Sequence, residues 1–322
     1  MMNNHIKILF NMIPKTNEVR IETSTICNAN CVFCPLSNDF DRKNEIMDLD
    51  KFKFYLDKTL SELSKQITQI TFSGMGEVFI DKTIFDKIRY ASSKNLDIHI
   101  LTNGTLLSKN DIDNLFEIGI KDIRFSLHTM NSDNYNKVMR YKKDIYNFDN
   151  TMKIINHAIE NNPKNTEIII TSTVVDENEN DVKDLIEEFE DRCILEIWKP
   201  HNWVYSKKYR EGDIVKKSCG RPFNGPIQIQ INGDIIPCCF DYNNKLILGN
   251  LNNNTLTEIF NDDKFTNLYN HHKNGTCSKS DLICKTCDQL LDKTDVLIYN
   301  NRMDILERIK YTSTGLNNIE KI

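Results

Sequence analysis

The run Val19-Arg20-Ile21-Glu22-Thr23-Ser24-Thr25-Ile26-Cys27-Asn28-Ala29-Asn30-Cys31-Val32-Phe33-Cys34 joins a β-branched stretch to three cysteines spaced C-x3-C-x2-C. An iron–sulfur cubane is normally held by four cysteines. Three thiolates without a fourth close by would leave one iron open to a small molecule. The same logic separates open catalytic metal sites from closed structural ones. A zinc site or three packed thiols are the alternatives. Zinc motifs usually come as paired C-x2-C units or with histidines near them. Here the nearest histidines are His5 and His99.

Outward from this run, two textures alternate. Short β-branched stretches predict strands at Val19–Ser24, Gln69–Ser73, Asp97–Thr102, Asp122–Leu127, Glu167–Val175 and Cys193–Trp198. Between them, apolar residues three to four apart predict helices near Leu49–Ser64, Lys82–Ser93, Lys109–Ile118, Asn147–Asn161 and Asp181–Glu190. Strands alternating with helices imply an α/β fold with parallel pairing through right-handed crossovers. An open Rossmann-like sheet and a partial (β/α)6 barrel both fit the pattern. In either, functional groups gather at the carboxyl ends of strands, where the cysteine triad lies.

The 322 residues suffice for one large domain or two ordinary ones. A net charge of −5 gives no electrostatic case for nucleic acid. No apolar run approaches the roughly 20 residues of a membrane helix, and the N-terminus does not read as a signal peptide. Ten cysteines in clusters argue for metal binding in a reducing cytoplasm, not a disulfide scaffold.

The texture changes after Pro200. His201–Gly212, with Trp203, Tyr205, Lys207, Lys208, Tyr209 and Arg210, reads equally as a solvated linker or a substrate-contacting loop. Ile227–Ile231, Asn232-Gly233-Asp234 and Ile235–Ile236 predict a β-hairpin, and residues 255–272 a helix. Cys219 and Cys238–Cys239 flank that hairpin, so it brings them together, and Cys284-x2-Cys287 adds a pair. Cys219, one of Cys238 or Cys239, Cys284 and Cys287 could surround one centre, with a four-cysteine zinc site as the alternative. Cys277 reads as free and Cys193 as packing. The expected segments are an extension (1–17), the α/β sheet or partial barrel (18–200), a small hairpin-plus-helix domain (201–290) and a tail (291–322).

The triad with this alternation resembles the radical S-adenosylmethionine (SAM) enzymes, whose signature follows the first strand of a partial (β/α)6 barrel. The resemblance implies a [4Fe–4S] cluster on Cys27, Cys31 and Cys34, with SAM on its open iron and Phe33 near the adenine. Gly74-Met75-Gly76-Glu77 is similar to the family's Gly-Gly-Glu-Pro segment at the methionine amine, with Met75 for Gly and Val78 for Pro. Glu77 keeps a carboxylate, a sensible ammonium partner. Thr102-Asn103-Gly104 matches a frequent turn, and Ser126 a serine near the SAM ribose and carboxylate. Period two puts Arg124, Ser126 and His128 on one polar face, where His128 reads as a satisfied core histidine. The second cysteine group resembles the SPASM domain or its shorter form, Twitch. This implies one auxiliary [4Fe–4S] cluster on Cys219, Cys238, Cys284 and Cys287, since no cysteine follows Cys287. Cys239 falls where some relatives place an acid/base residue.

The chemistry so implied starts with a 5′-deoxyadenosyl radical that removes hydrogen from a substrate carbon. A closed second cluster suits acceptance of the second electron. That favours a radical SAM oxidoreductase acting on a sugar or aminocyclitol, with Glu196 and Cys239 as possible proton acceptors. A flavodoxin- or ferredoxin-type donor would supply electrons. Epimerisation and maturation of a precursor peptide are the alternatives, although about 17 residues before the first strand are too few for a peptide-binding domain. A non-enzymatic iron–sulfur or zinc protein is the remaining one.

Overall fold

The computed structural model describes residues 12–37, 39–163, 165–203, 209–210, 212–214, 216–291 and 297–302. The readings on residues 1–11, on Tyr205, Lys207 and Lys208, and on 303–322 lie outside the described residues. Six parallel strands lie side by side in chain order: β1 (Glu18–Ile21), β2 (Gln69–Phe72), β3 (Asp97–Thr102), β4 (Asp122–Ser126), β5 (Glu167–Thr173) and β6 (Ile194–Trp198). The crossovers carry α1 (Leu49–Leu63), α2 (Ile84–Ser92), α3 (Lys109–Ile118), α4 (Ser132–Met139), α5 (Phe148–Glu160) and α6 (Val182–Phe189). The arrangement is a partial (β/α)6 barrel, in which β6 and β1 do not pair.

The sheet continues past β1. On its other edge β1 pairs in parallel with β7 (Ile227–Ile229). A hairpin then leads to β8 (Asp234–Ile236), followed by β9 (Gly249–Asn250). The short α7 (Arg221–Asn224) precedes the hairpin, and α8 (Leu256–Phe260) and α9 (Asp263–Asn274) follow it. At the far edge β10 (Leu297–Asn300) pairs antiparallel with β6.

Local chemistry explains these elements. Asp48 caps α1 by accepting from Lys51 N at 2.8 Å, and Phe52, Tyr55, Leu56 and Leu63 form its buried stripe. In β4, Ile123 and Phe125 are fully buried while Arg124 and Ser126 are half-buried on the opposite face. Gly233 turns the hairpin at φ 86°, and a Cβ there would stand 2.7 Å from the Tyr55 ring. Only glycine tolerates both the backbone and the approach.

Four features depart from expectation. β1 stops at Ile21, because Ser24 leaves the sheet to bridge with Ile46 and Met47 N donates to Thr23 O. Helix α4 was not expected, since its buried residues are only Tyr135, Val138 and Met139. The helix expected over 255–272 divides at Asn261, because Asp262 caps a second helix by accepting from Lys264 N. The uncommitted tail contributes β10.

One buried ion pair anchors α2: Lys87 Nζ meets Asp81 Oδ2 and the Met47 carbonyl, with the side chains 0% and 2% exposed. Lys87→Ala leaves a buried carboxylate without its counter-charge. It should cost about 3–5 kcal/mol of stability, read as a lowered thermal unfolding midpoint.

Candidate active site

The cysteine loop leaves the carboxyl end of β1 and is pinned to the end of α4. Asn30 N donates to Met139 O at 2.9 Å and Val32 N to Val138 O at 3.0 Å. Within the loop, Cys34 N donates to Cys31 O at 3.0 Å and Ser37 Oγ to the same oxygen at 2.9 Å. The segment after β2 crosses it closely. Gly76 N donates to Ser24 O (3.0 Å) and Glu77 N to Ile26 O (2.9 Å). A Cβ on Gly76 would sit 2.5 Å from the Ile26 carbonyl oxygen, so the crossing requires glycine.

The Glu77 carboxylate is buried. It accepts from Thr102 Oγ1 (2.7 Å), Asn103 N (2.7 Å) and Phe79 N (3.2 Å). Burial raises its pKa against the pull of those donors. About four acceptor sites exist on a carboxylate, so the expected ammonium partner has most of its capacity committed to loop structure. Asn103 Nδ2 donates to Asn28 Oδ1 at 2.9 Å and lies 4.0 Å from Cys27 Sγ. His128 Nδ1 accepts from Thr173 N at 2.8 Å, which leaves the neutral ring's proton on Nε2. Burial lowers its pKa to about 3. The Phe33 ring meets it edge-on at 4.7 Å.

All nine residues expected at the first cluster and its small molecule line one cavity of about 350 Å3. These are Cys27, Cys31, Cys34, Phe33, Gly74, Gly76, Glu77, Asn103 and Ser126. The cysteines are free thiols. Burial pushes Cys27 up to about 12 and Cys31 well above its ordinary value, and each thiolate disfavours the next. Only a cationic centre makes three such thiolates favourable together, which is the donor chemistry of a metal cluster. With Nδ1 of His128 taken by Thr173 N and Nδ1 of the other lining histidine, His201, 2.6 Å from Arg210 Nη2, the three thiols are the ready ligands beside room for a small molecule, so the residues fit an open [4Fe–4S] cluster carrying SAM.

The second group converges as well. Cys238 and Cys287 are buried in one cluster with Phe240, with Trp203 and Ile283 packed on it. Burial raises Cys284 far above its ordinary value, and Cys238, Cys287, Cys219 and Cys277 add to the shift. Burial likewise raises Cys219. Four neighbouring thiols fit a fully ligated cluster. Cys277, read as free, is buried in the same neighbourhood, where Cys219 also perturbs it. Among the described residues no three His, Cys, Asp or Glu side chains meet the spacing for a single metal ion. A cubane is wider and asks for wider-set thiols.

The adjacent cysteines divide. Cys239 lines a second cavity, of about 530 Å3, together with Glu196 and Trp198. Arg221 lies 3.9 Å from its sulfur and over the Phe240 ring. Glu196 Oε2 accepts from Arg124 Nη1 at 2.7 Å, and Arg124 Nε lies 3.6 Å from Asp122. Gly74, Met75, Leu101, Thr171, His201 and Trp203 line both cavities, so the two join in one cleft. Trp203 thereby belongs to the site, while Arg210 pairs with Asp288 instead. Sequence reasoning passed over Arg20, Arg42, Arg221 and Gln228 on the larger cavity. The alternation of Arg20 and Glu22 in and after β1, on the side away from buried Val19 and Ile21, was the available signal.

Known proteins agree with this arrangement. The model of the radical SAM superfamily matches residues 21–189, more than half of the chain, and that of SPASM, an iron–sulfur cluster-binding domain, matches 219–288. The chain is 23% identical over 285 residues to the S-adenosyl-L-methionine-dependent 2-deoxy-scyllo-inosamine dehydrogenase of Niallia circulans, covering 86% of this chain and 94% of that one. Its fold is similar to BtrN in complex with AdoMet and 2-DOIA (TM-score 0.61, 19% identity, 85% of this chain and 94% of the other). It also resembles Streptococcus suis SuiB bound to the precursor peptide SuiA (TM-score 0.62, 16% identity, 80% and 66%). The chain belongs to the radical SAM superfamily, as an enzyme that uses SAM and a [4Fe–4S] cluster and carries a C-terminal SPASM iron–sulfur domain.

Proposed function

We propose that this enzyme dehydrogenates an alcohol carbon of a small polyhydroxylated molecule, such as a sugar or aminocyclitol. The observation that carries this reading is the joined cleft, with the three-cysteine loop on one cavity and Cys239, beside the auxiliary thiols, on the other. Cys27, Cys31 and Cys34 would hold the first cluster, and Phe33, Gly74, Gly76, Glu77, Asn103 and Ser126 the SAM. Cys219, Cys238, Cys284 and Cys287 would hold the second cluster. When bound, these groups supply a hydrogen-abstracting 5′-deoxyadenosyl radical and a one-electron acceptor, so an alcohol carbon that yields a hydrogen atom, a proton and an electron becomes a carbonyl.

The chain's own residues supply the rest. Glu196 takes the proton at Oε1, which has no partner among the described residues, while Arg124 fixes the carboxylate through Oε2. Trp198 and Trp203 offer apolar faces to a sugar-like ring. Electrons reach the first cluster from a flavodoxin- or ferredoxin-type donor. The dehydrogenase relative, matched along nearly its full length, supports this substrate class.

The Cys239 thiol on the cavity wall favours a second reading, epimerisation, in which it gives a hydrogen atom to the opposite face of the substrate radical and the resulting thiyl radical is restored by a proton and one electron from the same external donor. The likeness to a peptide-bound enzyme keeps a precursor peptide as another substrate. Carbon-deuterated aminocyclitols, tested with reduced enzyme and SAM, separate these outcomes. Dehydrogenation gives singly deuterated 5′-deoxyadenosine and a product two hydrogens lighter. A product that keeps every hydroxyl but carries solvent protium in place of the carbon deuterium would establish epimerisation. Glu196→Gln should lower ketone formation by roughly 10²–10⁴-fold while 5′-deoxyadenosine still forms.

A further inference from the structure

Gln228 stands apart on the larger cavity. The residue is 5% exposed and lines the cavity. Its Nε2 is buried with no hydrogen-bond partner among the described residues. An unmade buried hydrogen bond is costly, and native structures leave few of them. The backbone holds the residue firmly: Gln228 is in register with Arg20 on β1 and with Ile236 on β8. Arg20 spends Nε and Nη2 on Glu18, at 2.6 and 3.4 Å. That pairing offsets its charge and leaves Nη1 uncommitted by any described contact. The β1–β7 wall therefore presents donors without net charge. The proposed proton acceptor, Glu196, lies on β6 near the other end of the parallel strands.

We propose that Gln228 is a specificity-determining residue whose carboxamide turns its buried Nε2, unpartnered among the described residues, toward the cavity and donates to an uncharged hydroxyl oxygen of the substrate, with Arg20 as the second donor at that wall. This rests on the reading of the substrate as a polyol. A neutral amide on a rigid strand discriminates by whether an oxygen is present. A substrate lacking that hydroxyl leaves the buried donor unpaired and binds more weakly.

The test is anaerobic calorimetry on the cluster-loaded enzyme with SAM, using 2-deoxy-scyllo-inosamine and its further mono-deoxy analogues as probes. Gln228→Leu should weaken binding of the parent about 10- to 100-fold. One deoxy analogue should bind wild type and variant equally, since its contact is already missing. Iron content and SAM affinity should be unchanged. Gln228→Met, of similar volume, replaces the leucine variant if that one fails to load with iron. Equal parent affinity in wild type and variant, or equal losses for every analogue, overturns the role of Gln228 and leaves the polyol reading standing. Failure of wild type to bind any of these cyclitols overturns the polyol reading, and this inference with it.

Discussion

Replacing Cys27, Cys31 or Cys34 by alanine is expected to abolish 5′-deoxyadenosine formation while leaving the second iron site filled. Iron should fall from about eight to about four per chain, with sulfide in parallel. The reason lies in the donor set. The described cavity offers three free thiols and two histidines whose Nδ1 atoms are engaged, His128 by Thr173 N and His201 by Arg210 Nη2. Two thiolates cannot hold the cubane and leave an iron for SAM. Retention of SAM cleavage in any of the three variants would remove this loop from the role proposed for it.

Removing the second set should act differently. In a Cys284→Ala/Cys287→Ala variant, 5′-deoxyadenosine should still form in the presence of substrate. Oxidised product should fall about 100-fold or more, as when an interaction needed only for the chemical step is lost. The substrate would lose its hydrogen atom and have no adjacent acceptor for the second electron. A variant that loads its first cluster and still oxidises at the wild-type rate would exclude the auxiliary cluster as acceptor. An undiminished epimerised product would point to Cys239 instead. Because Cys287 is buried beside Cys238 and Phe240, Cys→Ser changes serve as a check on packing.

The barrel was legible because its cues are local. Strand runs and the helical spacing in α1 follow from side-chain periodicity, and Ser108 with Asp111 forms a capping box at the start of α3. Glycine punctuation was legible too, at Gly76 and Gly233. What escaped depends on contacts distant in sequence. β10 is a strand because β6 offers an edge. Helix α4 is only eight residues long, yet its last residues hold the cysteine loop. Spacing alone leaves Cys238 and Cys239 interchangeable; the resemblance puts Cys238 among the auxiliary thiols, and the chain's path after β8 puts Cys239 on the larger cavity. Gln228 was passed over inside the expected hairpin strand Ile227–Ile231, and only the cavity gives it meaning.

The pairing of β1 with both β2 and β7 has a consequence for electron flow. Domains joined by a linker swing by default, and a swing would vary the gap an electron must tunnel across. Here the strand that leads into the first cysteine loop is also stitched to the hairpin that delivers Cys238. On the proposed electron path, the separation between entry and exit would be set once, when the sheet forms. Turnover can then be gated by substrate and SAM arrival, with the wiring between the two sulfur sites held constant.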